Sequence, residues 1–247
     1  MKNFSIILST VAIILATVAI VKVYEPKAPV AAAPAAGPMT SADLTAVLNQ
    51  NPKIVADALQ AYEIQQREAE EKAAAERLAK YAGEISNEAG APFIGPKDAK
   101  VTVTEFFDFS CGYCKRLSPE IEKLIADNAD VKFVFKPLTF VSPTSVYQAK
   151  AGFAAHNQGK FLEYYKAVME GNANSEALVD EMAKNAGVDV DKYKADVASE
   201  DVSAKLGNVA NFAQKIGING VPAVFINGKQ VNGRSAAELQ EAINAAK

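Results

Sequence analysis

The stretch Val101–Leu117, VTVTEFFDFSCGYCKRL, constrains this chain more than any other. Its first nine residues are nearly all apolar or β-prone, which suits a central strand buried on both faces. A short turn follows, then a helix that starts at a pair of cysteines and is expected over Gly112 to about Asn128. Leu117, Ile121, Leu124 and Ile125 share one face of it. Cys111 and Cys114 are the only cysteines in 247 residues. Two cysteines cannot build a disulfide framework. They are a lone structural bridge, half of a metal site, or a working redox pair. A bridge across so short a loop stabilises little. An acid, Glu105, interrupts the apolar run shortly before Cys111.

The sequence opens with Met1-Lys2 and continues into the uncharged run FSIILSTVAIILATVAIV, residues 4–21, which ends at Lys22. Residues 1–22 have the form of an export signal. A run of about 18 apolar residues can also span a bilayer with little to spare. The best Ala-x-Ala site, Ala31 to Ala33, lies well past the run. Cleavage as a signal peptide and retention as an inner-membrane anchor are therefore both open. Either outcome places the rest of the chain in the periplasm or otherwise outside the cytoplasm. Residues 23–39 are a Pro/Ala linker, extended and semi-rigid, without a core of its own.

Residues 40–90 read as helical. Thr40 or Ser41 can cap a first helix, and Asn51-Pro52 is a restart signal. Leu44, Val47, Leu48, Ile54, Val55, Ala58, Leu59 and Tyr62 recur at helical spacing. Beyond Tyr62 the helix propensity stays high while large apolar residues thin out. One continuous helix from Pro52 to Ala89 would reach roughly 55 Å, and such a stalk cannot bury its Leu44–Tyr62 stripe alone. It packs back on the following domain, or it joins copies of the chain into a homo-oligomer, a trimer or dimer, through residues 40–62.

Residues 91–247 form one globular domain. Val131–Phe135 is a second buried strand, so 101–135 makes a βαβ unit with the cysteine pair at its strand-to-helix turn. From about 142 to 216 the patterns are helical only, with starts at Ser142-Pro143, at Asn174 or Ser175, and at Asp189. Ala223–Ile226 is a strand, Asn227-Gly228 a hairpin turn, Gln230-Val231 the return, and Ser235 caps a last helix. The fold expected is α/β: a thioredoxin fold with an inserted helical subdomain, preceded by an N-terminal helical extension. A net charge of −3 without a dense basic cluster argues against nucleic acid as a partner.

The segments EFFDFSCGYC, AKAGFAAHNQGKFLEYY and GINGVPAVFINGK occur in this order, and together they resemble the DsbA family of exported thiol–disulfide oxidoreductases. The similarity runs from about Pro92 to Lys247. The helical extension resembles that of the Com1-like and ScsC-like branch, whose members use it to oligomerise. Gly112-Tyr113, between the cysteines, resembles the dipeptide of the isomerase DsbC and departs from the Pro-His of DsbA. Val221-Pro222 resembles the cis-proline dipeptide of this fold, which implies a loop beside the cysteines whose Val221 backbone pairs with substrate. The resemblance implies no cofactor beyond a redox-active Cys111–Cys114 disulfide. It also implies exported protein substrates and a membrane redox partner that resets the dithiol.

Residue chemistry is consistent with this. A thiolate attacks a disulfide, and a helix N-terminus favours an anion, so Cys111 is the expected nucleophile. Cys114, one turn inside, is the expected resolving thiol. Glu105, where thioredoxin-like folds carry a buried acid, is expected to exchange a proton with Cys114 once burial raises its pKa. The alternative for Glu105 is a pairing with lysine. His156, the only histidine, is expected to pack or lie on a helix surface. The function expected is protein disulfide isomerase or reductase acting as an oligomer. Alternatives are a DsbA-like dithiol oxidase and a copper-binding protein with Cu(I) at Cys111 and Cys114. A third is a surface protein whose thioredoxin domain is only a scaffold.

Overall fold

The computed structural model describes residues 39–232 and 235–247. The apolar segment 4–21 and the linker lie outside these residues. Among the described residues no helix is long and apolar enough to cross a membrane. The chain divides into two compact units, Met1–Ile64 and Gln65–Lys247.

In the first unit, helix α1 (Ser41–Gln50) starts at Thr40, whose hydroxyl accepts from the Asp43 N–H while the Asp43 carboxylate accepts from the Thr40 N–H. This capping box satisfies two otherwise unpaired donors. Helix α2 (Pro52–Lys80) restarts at the proline, as the Asn51-Pro52 signal predicts. Neither helix contains a buried residue. Leu44, Val47, Ile54, Val55, Leu59 and Tyr62 are exposed.

The second unit is built on a five-stranded sheet in the order β1-β3-β2-β4-β5. Its strands are β1 (Phe93–Ile94), β2 (Thr102–Phe107), β3 (Lys132–Pro137), β4 (Ala223–Ile226) and β5 (Lys229–Val231). Central β2 runs parallel to β3 and antiparallel to β4, while β1 and β5 are antiparallel edges. The apolar run of β2 follows from this position, since all six of its residues are buried. Period-two alternation sends its side chains to two cores. Val103 and Phe107 join the layer of α4 (Gly112–Asp127), α6 (Phe161–Glu170) and α10 (Ala236–Ala246). Phe106 joins Ile85, Val134 and Phe225 under α3 (Ala82–Ser86) and α9 (Glu200–Ile216). The insertion between β3 and β4 is wholly helical: α5 (Ser145–Asn157), α6, α7 (Glu176–Asn185), α8 (Val190–Ala198) and α9.

Three details differ from the sequence expectation. The first insertion helix starts at Ser145, because Ser142 spends its hydroxyl in a turn with Thr144. The strand β1 is two residues long and carries no period of its own. The helical stretch read as 40–90 contributes its end to the globular core: Ile85 is fully buried, Leu78 and Tyr81 pack against the same cluster, and the Ile85 carbonyl accepts from the Thr104 hydroxyl.

The hairpin turn is as expected, with φ of 47° at Asn227 and 77° at Gly228. A Cβ on Gly228 would lie 2.4 Å from the Ala82 carbonyl oxygen. We predict that Gly228→Ala destabilises the domain by about 2 kcal/mol, from left-handed strain plus this clash. Urea unfolding measures it, and a midpoint equal to the parent's would contradict the packing described.

Candidate active site

Cys111 is the N-cap of α4. Its N–H donates to the Asp108 carbonyl and its carbonyl accepts from the Lys115 N–H, both at 2.9 Å. The side chain makes no capping bond, so the sulfur gains from the helix terminus through its dipole rather than through a fixed N–H contact. The Cys111 thiol donates to the Val221 carbonyl at 3.7 Å. The Val221–Pro222 peptide is cis. The structure thus brings together the cysteine turn and the Val-Pro loop, far apart in the chain. Cys114 lies one turn inside and is fully buried.

Beneath this pair sits Glu105, in mid-strand on β2 and 2% exposed. Among the described residues no lysine reaches it. Its Oε2 accepts from the Tyr165 hydroxyl at 3.2 Å, and its Oε1 is buried with no partner. Burial pushes the carboxyl up to about 8, and the Tyr165 hydrogen bond partly opposes that rise. The Cys114 thiol is also pushed up, by burial first and by the charge of Glu105 second. The charge of Glu105 therefore disfavours the Cys114 thiolate.

The cysteine turn is tied to the helical insertion by residues without a sequence motif. The Asp108 carboxylate accepts from the Ser110 N–H, the Ser145 hydroxyl and the Val141 N–H. The Ser110 hydroxyl donates to the Gln148 carbonyl oxygen of its side-chain amide at 2.8 Å. Lys115 donates to the Val168 and Gly171 carbonyls at the end of α6, a cation at a helix C-terminus. Burial lowers its pKa. Pro119 cannot donate to the Lys115 carbonyl, and the Ser118 hydroxyl does so instead.

Outward, the site is open. Tyr113 is 65% exposed, and the Arg116 guanidinium stacks on its ring at 4.3 Å. A groove of about 650 Å³ runs past Tyr113, Arg116, Leu117, Val221 and Pro222 toward Asn232. Exposed Phe140 and Val141 lie in the segment held by Asp108, and Val146 follows on α5. His156 is not near this region. It packs edge-on between Phe93 and Phe161. Among the described residues, no group of three or more His, Cys, Asp or Glu side chains gathers to hold a metal.

A mixed sheet around a parallel βαβ unit, with a CxxC pair at the helix start and a cis-proline loop beside it, defines a thioredoxin-fold dithiol protein. A sequence profile described as Thioredoxin matches residues 87–245. The structure of ScsC from Proteus mirabilis in a transitional conformation is similar at 27% identity and a TM-score of 0.61, over 83% of this chain and 94% of that one. The Probable disulfide bond formation protein D of Bacillus cereus is 29% identical over 56% of this chain and 71% of its own length. The Na(+)/H(+) antiporter NhaA 1 of Salinispora arenicola is 29% identical over 62% of this chain, which spans only 24% of that relative. The chain belongs to the thioredoxin family and resembles the DsbA-like thiol–disulfide oxidoreductases within it.

Titration of Glu105 couples to stability. The group ionises near 4.5 when unfolded and near 8 when folded. Between these values the native state retains a proton that the unfolded chain has lost, so stability is greatest below about pH 4.5 and falls as pH rises to 8. Glu105→Gln cannot ionise. We predict that it flattens this slope and leaves the reduced variant more stable than its parent at pH 8, by roughly 2–4 kcal/mol. Parallel stability–pH curves for the two would contradict the burial of this charge.

Proposed function

We propose that the chain is an exported thiol–disulfide oxidoreductase that works on protein disulfides through the Cys111-Gly112-Tyr113-Cys114 dithiol, as an isomerase or reductase within a homo-oligomer. The observation that carries the chemistry is the stack of Cys111 at a helix start, buried Cys114 and partnerless Glu105 Oε1 behind an open groove. Cys111 attacks a client disulfide and forms a mixed disulfide, releasing one client thiolate. Glu105 takes the proton from Cys114. The Cys114 thiolate then attacks Cys111 sulfur, closes the Cys111–Cys114 bond and releases the second client thiol. A two-electron reduction of the client is balanced by oxidation of the dithiol. The Val221 carbonyl and the apolar rim of Tyr113, Phe140 and Val141 suit an extended, partly unfolded polypeptide.

The preference for isomerase or reductase rests on Gly112-Tyr113 and on the exposed stripe Leu44 to Tyr62, which supports self-association through residues 40–62. Several dithiols facing one client favour correction of wrong pairings. The alternative is a DsbA-like dithiol oxidase, favoured by relatives named for disulfide bond formation. Export follows from residues 1–22, and a membrane redox partner would reset the dithiol. A periplasmic thioredoxin-like protein from Salmonella enterica serovar Typhimurium shares the fold, with a TM-score of 0.58.

Two measurements test this. Cys111→Ser should abolish thiol–disulfide exchange, while Cys114→Ser should accumulate a mixed disulfide with client on non-reducing gels; turnover by Cys111→Ser would overturn the assignment. The chain from Met39 onward should sediment as a dimer or trimer and reactivate a scrambled disulfide substrate. Leu44→Glu with Leu59→Glu should leave a monomer that reduces insulin and loses most of the reactivation. A potential near about −120 mV with no reactivation by the oligomer would assign the oxidase instead.

A further inference from the structure

The oxygen atoms of Glu105 are not equivalent, and the difference is made by the helical insertion. Tyr165 enters from α6, 60 residues further along the chain, and donates to Oε2 at 3.2 Å. Its ring is fully buried against Phe107, Phe109, Phe135 and Phe161, with centroids 5.0–6.2 Å away. A ring clamped on four others leaves its hydroxyl little choice of position. Among the described residues Oε1 has no donor. A carboxylate held by one oxygen presents the other to the next proton.

The remaining surroundings are sparse in charge. From α4, the buried Cys114 thiol feels the charge of Glu105 and lies under the influence of Cys111. The Tyr165 hydroxyl also senses Cys114 and Glu122 on α4. The Glu122 Oε2 pairs with Lys166 of α6 at 3.4 Å. The cross-strand neighbours Phe135 and Val224 are apolar. Lys136 belongs to the opposite face, over Phe106 and Phe212. From α10, Leu239 and Ile243 complete the same core.

We propose that Tyr165 is a positioning residue for the resolving step: its hydroxyl holds Oε2 of Glu105 so that Oε1 receives the Cys114 proton. The inference rests on Glu105 being the proton acceptor for Cys114. In that step the Cys114 S–H bond breaks and the proton passes to Oε1. The Cys114 sulfur bonds to the Cys111 sulfur, and the departing thiolate carries away the electron pair of the broken disulfide. The insertion is then part of the proton machinery and not only a cover. Without the hydroxyl the ionised carboxylate loses its one hydrogen bond, so it holds its proton to higher pH and accepts the next one less often at neutrality.

The test uses the full chain, reduced, with 5,5′-dithiobis(2-nitrobenzoate) in stopped flow. The first nitrothiobenzoate released reports attack by Cys111 and serves as an internal control. The second reports closure by Cys114. For Tyr165→Phe the pH midpoint of the second release should move up by about one unit, so that the rate at pH 7 falls about tenfold. In a Glu105→Gln background the same substitution should change nothing further. An unmoved midpoint, or an equal slowing in both backgrounds at every pH, overturns the inference in favour of a packing role. If Glu105→Gln alone leaves the profile of the second release intact, the proton role of Glu105 fails first, and the inference with it. A measurement without substitution bears on the same point. The 13C shift of Tyr165 Cζ in the reduced wild-type protein should change with pH at the midpoint of the second release. A shift that stays flat through that midpoint overturns the inference.

Discussion

A carboxyl group buried in the middle of an apolar sheet is the constraint on which the site depends. Glu105 sits on the central strand among Val103, Phe107 and the rings of the insertion. Water cannot solvate its charge there, so the group holds its proton far above the ordinary range for a carboxylate. That is unfavourable for folding at neutral pH and useful for chemistry: a group that titrates near 8 can give and take a proton within reach of cellular pH. The same burial raises Cys114.

The rest of the architecture serves that placement. Parallel pairing with β3 and antiparallel pairing with β4 seal both edges of β2. Helix α4 starts where β2 ends, which puts Cys111 at its N-terminus and Cys114 one turn below, over the acid. Asp108 fastens that turn to the segment carrying Val141 and Ser145, and Lys115 fastens α4 to the end of α6. Together with the Ser110–Gln148 bond these ties lock the insertion to the turn, and the insertion carries Tyr165 into the sheet core. The groove beside Pro222 remains open to solvent.

Local signals made much of this legible in advance. The β2 run, the CxxC turn, the Asn227-Gly228 hairpin and the caps at Thr40, Ser175, Asp189 and Ser235 are short-range chemistry, and each lies where its residues indicate. What escaped is long-range. Nothing near Tyr165 in the chain marks it as a partner of Glu105, because helix α6 has an ordinary amphipathic pattern in which a tyrosine passes for core. Asp108 stands in an apolar run and resembles a turn residue, while its three hydrogen bonds come from segments 2 to 37 residues away. The edge strand β1 is too short to show a period, and Ile85 lies in the helical stretch before the domain, where only its long-range packing beneath Thr104 marks it as core.

The account turns on the protonation of one group. Selective 13C labelling of glutamate, with Glu105→Gln to assign the resonance, gives its side-chain carboxyl titration directly in the reduced protein. The midpoint expected is near pH 8, with the protonated form dominant at neutrality. A midpoint near 4.5, the ordinary value for glutamate, would mean that the carboxylate is solvated or ion-paired, and would contradict the role proposed for Glu105 as proton acceptor for Cys114.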